Sequence, residues 1–135
     1  MKTVFFALLW SSCLFGAGLI KINEFSLKKD QTKKIVVQYG ASQKKLTFRW
    51  TLYKNDGLVV FSSYDEVVSQ HILYTNYKNQ SLKIMLKPKG AYEFSSPYML
   101  IRFDEFLFAK NKAKFSLWLN DNRQEIYIKY LKNKN

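Results

Sequence analysis

His71 is the only histidine in the 135 residues, so any acid–base chemistry run by imidazole would have to pass through it. A nucleophilic triad needs a base aligned with a nucleophile and an acid that orients the base. Serines are plentiful, but none sits in a G-x-S-x-G elbow. One histidine also cannot build a multi-histidine zinc site. His71 therefore reads as a bystander in the strand Gln70–Tyr74, not as a catalytic group.

The carboxylates offer two adjacent pairs, Asp65-Glu66 and Asp104-Glu105. Neighbours on a strand point to opposite faces, so neither pair aims both carboxylates at one point. Glycosidase chemistry by spaced carboxylates finds no support in this arrangement. The second pair lies inside the apolar run Tyr98–Phe108. Alternation behind Met99, Ile101 and Phe103 would carry Glu105 into the interior, where an unpartnered carboxylate is costly. The pattern predicts a bulge at 104–105 that turns both acids to solvent. No Walker A, G-x-G-x-x-G or D-x-D-x-D-G loop occurs, so no cofactor and no metal are expected.

Cations and tyrosines supply the remaining candidates. Lys87 and Lys89 flank Pro88, and Lys110, Lys112 and Lys114 line a turn. Gathered at one end of the fold, these five would meet an anion, with Tyr92, Tyr98 and Tyr53 turned outward to stack or touch sugars. Lysines at turns and strand edges also keep sheets from pairing edge to edge, which accounts for most of them without any ligand. The same holds for Lys28, Lys29, Lys33, Lys34, Lys44 and Lys45.

The elements that must position these groups are strands. Leu46, Phe48, Trp50 and Leu52 alternate with Lys45, Thr47, Arg49 and Thr51, which gives a strand with one apolar and one wet face. Lys54-Asn55-Asp56-Gly57 then turns the chain, with Gly57 expected at positive φ, and Leu58–Tyr64 returns as partner. Lys34–Tyr39, Gln70–Tyr74, Ser81–Leu86, Tyr98–Phe108, Ala113–Leu119 and Gln124–Tyr130 add further strands. Leu19–Leu27 adds an edge strand, and Tyr64–Gln70 has room for one helical turn. Eight or nine short strands with no helical periodicity predict an all-β domain over 19–135. The expected form is an antiparallel β-sandwich of immunoglobulin-like topology, with a small β-barrel as the alternative.

Ahead of it, Lys2, the apolar stretch Val4–Phe15 and the small residues Gly16, Ala17 and Gly18 make a secretory signal peptide of residues 1–18. An uncleaved inner-membrane anchor and a lipoprotein modified at Cys13 are the alternatives; the apolar run is short for a span. Cys13 is the only cysteine, so after cleavage neither a disulfide nor a thiolate site is available.

The 22 basic residues against 10 acidic give a net charge of +12. A charge of this sign attracts anionic surfaces. Of the cations only Arg49, Arg102 and Arg123 carry the guanidinium fork suited to reading phosphate or guanine. The expected function is a non-catalytic binding or assembly module of a bacterial cell envelope, placed in the periplasm. Its partner is an envelope protein, met through edge strands or basic loops. The alternative is an electrostatic binder of lipopolysaccharide, lipid, nucleic acid or acidic glycan, nucleic acid having no motif behind it. An envelope hydrolase stands last.

Overall fold

The computed structural model describes residues 18–76, 78–87, 97–122 and 124–132. The expected signal peptide lies outside them, apart from Gly18, as do Lys89 and Tyr92 among the candidate residues. Nine strands run in chain order: β1 (Leu19–Lys28), β2 (Lys33–Tyr39), β3 (Ser42–Lys54), β4 (Gly57–Tyr64), β5 (Val67–Tyr74), β6 (Ser81–Met85), β7 (Tyr98–Leu107), β8 (Lys112–Asn120) and β9 (Ile126–Leu131). They form two antiparallel sheets, one in the order β1-β8-β7-β6 and one in the order β5-β4-β3-β2-β9. The architecture is a β-sandwich and not a closed barrel, since each sheet keeps two unpaired edges.

The alternation seen in the sequence explains the layers. Leu46, Phe48 and Trp50 of β3, Leu58 and Val60 of β4, and Ile35 and Val37 of β2 point inward from the larger sheet. They meet Met99, Ile101 and Phe103 of β7 and Ala113, Phe115 and Leu117 of β8. The ring of Phe115 lies edge-on to Phe48 at 4.8 Å and stacks on Phe25 at 5.5 Å. Such pairs add to the burial of aromatic area. The Trp50 indole N–H donates to the Leu27 carbonyl at 2.7 Å, which ties β1 to the opposite sheet.

Two bulges change what the strands present. On β7 the register slips between Phe103 and Glu105, where the sequence predicts it. Only one of the two acids is fully wet, however. Glu105 is exposed, but the Asp104 carboxyl is 16% exposed and is held by Arg102 Nε at 2.7 Å and Ser116 Oγ at 3.1 Å. Partners at hand let a half-buried carboxylate stay where alternation placed it. On β3 the register slips between Trp50 and Leu52. Leu52, expected inside, is thereby turned out, and Tyr53, expected outside, is turned in. Tyr53 stacks on Phe106 at 4.1 Å with the rings 2° from parallel.

The turns differ from expectation in two places. In the β3–β4 hairpin Asn55 and Asp56 carry the positive φ, at 52° and 64°, and Gly57 does not. Gly57 is needed for space instead: a Cβ there would lie 3.0 Å from Ile72 Cγ2 and from Tyr74 Cε1. Between β4 and β5 there is no helical turn. Asp65 and Glu66 form a two-residue hairpin loop, both at positive φ, and β5 begins at Val67.

Candidate binding edge

Four strands have one unpaired side: β1, β6, β5 and β9. An unpaired edge offers a row of N–H and C=O groups to any passing chain, and proteins guard such edges with lysine, short length or bulges. Three of the four are guarded. β1 carries Lys21, Glu24 and Lys28 and bulges between Lys21 and Asn23. The five-residue β6 carries Lys83, and the six-residue β9 carries Lys129. The eight-residue β5, VVSQHILY, contains no Lys, Arg, Asp, Glu or Pro. Val67 and Val68 are 71% and 69% exposed.

Register fixes which groups β5 offers. Its two-residue loop makes Tyr64 and Val67 a hydrogen-bonded pair with β4, and the pattern repeats every second residue. The Tyr74 N–H turns away from β4 and donates to the Asn79 carbonyl at 3.0 Å. Val68, Gln70 and Ile72 therefore direct their backbone groups to the open side. Opposite them, the bonds Leu86 N–H to Pro97 and Phe103 N–H to Gln80 leave Ser81, Lys83 and Met85 of β6 with their backbone groups outward as well.

Between these edges the sandwich is open. The larger sheet is one strand wider, so the inward-facing Val67, Ser69 and His71 of β5 are only partly covered. A cleft of about 490 Å³ lies there, lined by Tyr39, Lys44, Tyr64, Val67, Ile84 and Leu86 among others. A second hollow of about 440 Å³ continues along Gln70–Tyr74 to Asn79 and Ser81. The first has an apolar floor and a polar rim. Tyr64 donates to the Leu86 carbonyl at 2.6 Å, and burial pushes its phenol pKa well up, with Tyr39 and Asp65 adding to the rise. The hydroxyls of Ser62 and Ser69 are 2.8 Å apart. Lys44 pairs with Asp65 at 3.1 Å, which holds its ammonium pKa up.

The described lysines among those singled out from the sequence do not gather. Lys87 follows β6 and lies near the Tyr98 end of β7, where it pairs with Glu125 and sits 5.8 Å from the Tyr39 ring. Lys110, Lys112 and Lys114 lie at the opposite end, where Leu107 faces Lys112. Along β7 that is about 30 Å at the usual rise per residue. Hairpin topology separates them: β6 and β7 turn at one end of the sheet, β7 and β8 at the other. Tyr98 belongs to the Lys87 end, with the Lys83 ammonium 4.2 Å from its ring centre and Asn120 Nδ2 3.2 Å from its hydroxyl. His71 lies exposed on β5, and among the described residues no three of His, Cys, Asp and Glu come together. Sequence reasoning misses the β5 edge itself. Its signal is an eight-residue stretch free of charge and proline, but only sheet order shows that the stretch is an edge.

Compared with family models, curated proteins and solved structures, the chain matches none of them.

Proposed function

We propose that this chain is a non-catalytic binding module, exported to a bacterial cell envelope, that takes an extended segment of a partner protein as an added strand on β5. The observation that carries the reading is the unguarded edge: eight residues without charge or proline, with Val68, Gln70 and Ile72 offering their backbone groups. Strand addition draws affinity from main-chain hydrogen bonds and specificity from pockets for alternate side chains. The cleft over Val67, Ile84 and Leu86 is such a pocket. A net charge of +12 favours a partner with acidic flanks. Export rests on the apolar stretch Val4–Phe15 behind Lys2.

A displayed peptide library tests the binding half. Alternating apolar peptides with acidic flanks are expected to be enriched, and to protect the Val68, Gln70 and Ile72 amides from exchange. Gln70→Pro removes one outward N–H at an edge position where proline is tolerated. It is expected to abolish peptide binding with an unchanged β-sheet spectrum. Peptides that bind Gln70→Pro as tightly as the parent would overturn strand addition. Recovery of the chain at its unprocessed mass from the cytosol would overturn export.

A further inference from the structure

The larger sheet turns a second face to solvent, away from the core, and its composition is unusual. Register places Lys34 on β2, Lys45 and Arg49 on β3 and Lys129 on β9 on that face. No Asp or Glu occupies an outward position on β2, β3, β4, β5 or β9. Arg49 is answered by Asp30 at 3.2 Å, from the turn after β1. Lys34, Lys45 and Lys129 are exposed, and among the described residues no carboxylate pairs with them. Lys45 faces Val36, which faces Lys129, so the two ammonium stems rise from strands about 10 Å apart, with Lys34 two residues along β2.

Beyond Arg49 an apolar row crosses the same face, with the exposed Lys54 at its far border. Leu52 faces Val59, and Val59 faces Ile72, a continuous row across β3, β4 and β5. Leu52 is 48% exposed and Ile72 47%. The outer face of the smaller sheet has no such division. There Glu24 pairs with Lys21 and Asp104 with Arg102.

We infer that the outer face of the five-stranded sheet docks on an anionic lipid surface. Lys34, Lys45 and Lys129 meet the head-group phosphates, and the row Leu52–Val59–Ile72 enters the boundary between head groups and acyl chains. Peripheral binding of this kind draws on both apolar area and attraction to anionic lipid. A soluble polyanion would use the lysines alone and leave the apolar row in water. The juxtaposition of the cations and the apolar row on one face selects the lipid.

Co-sedimentation with vesicles tests the assignment. The full chain is expected to partition onto phosphatidylglycerol-containing vesicles, to remain in solution with pure phosphatidylcholine, and to be released by salt. At about fivefold per lysine near an anionic surface, the triple variant K34Q/K45Q/K129Q should lose about a hundredfold in partitioning. Leu52→Ser should lose several-fold while leaving charge unchanged. Binding indifferent to phosphatidylglycerol overturns the inference. So does soluble polyphosphate binding as tight as vesicle binding and unaffected by Leu52→Ser. At high salt, where long-range attraction is screened, peptides selected on the β5 edge should bind the triple variant as they bind the parent, so the two surfaces fail or stand separately.

Discussion

The two sides of the sandwich, where the sheet edges come closest, are finished differently. On the β1/β9 side the rings of Phe25, Phe48 and Phe115 pack together, and Lys33 lays its ammonium 5.1 Å from Phe25 and 5.4 Å from Tyr130. Burial there lowers the Lys33 pKa and raises that of the Tyr130 phenol. Ile22, Ile126 and Ile128 fill in behind. On the β5/β6 side the inward positions hold Ser62, Tyr64, Ser69, His71 and an exposed Val67, and the rings of Tyr39 and Tyr64 line an open cleft instead of closing the gap. The difference shows where stability resides and where it has been left out. An edge closed over by packed rings has no room for an added strand, and the β5 edge is not closed in that way.

The largest expected effect tests that asymmetry directly. Phe115→Ala, at a site with no solvent exposure, should lower unfolding free energy by about 3–5 kcal/mol. Val67→Ala on the open side should stay within about 0.5 kcal/mol. Urea denaturation of both variants measures the gap, and equal losses would erase the distinction between the sides. Gly57→Ala comes next. Its new methyl would press on Ile72 and Tyr74 of β5, an overpacking cost of about 1–3 kcal/mol. The β5 amides should then exchange faster than those of β9, at the far edge of the same sheet.

The smallest effect is one of pH. Burial raises the Tyr64 phenol pKa, so the folded chain prefers the neutral form. The sign follows from linkage: this contribution is fully present below the ordinary tyrosine pKa of about 10 and is lost as pH rises beyond it. Stability should therefore be flat in this respect from pH 7 to 9 and decline above 10. Tyr64→Phe should decline less steeply over the same alkaline range while losing about 1 kcal/mol at neutral pH, with the hydrogen bond to Leu86. Urea midpoints of the two proteins at pH 8 and pH 11 make the comparison. An identical alkaline slope would remove Tyr64 from the account.

Much of this fold is legible in the sequence because alternation marks the buried face of each strand. Leu46-Phe48-Trp50, Met99-Ile101-Phe103 and Phe115-Leu117 each declare an inward face by spacing alone, and all are buried. The bulge at Asp104 is legible too, because a charge falls where an apolar residue is due. The bulge on β3 is not, since Leu52 and Tyr53 are both acceptable on either face. The sequence predicts β5 only from Gln70 onward, because Val67, Val68 and Ser69 show no alternation. The open β5 edge and the make-up of the outer face depend on which strands neighbour which. Hairpin chemistry fixes adjacent pairs such as β3 and β4, but pairings such as β1 with β8 join distant parts of the chain. For the same reason Lys87 and Lys110 look like companions in the sequence and are far apart in the fold.

The slip on β3 reaches further than its own hairpin. Up to Trp50 the even-numbered residues of that strand face the interior, and after it the odd-numbered Tyr53 does. One surplus residue thus shifts the phase of everything downstream. It hands Leu52 to the solvent and completes the greasy row with Val59 and Ile72. The character of an entire surface can hinge on a count of residues, with no change in what any of them is.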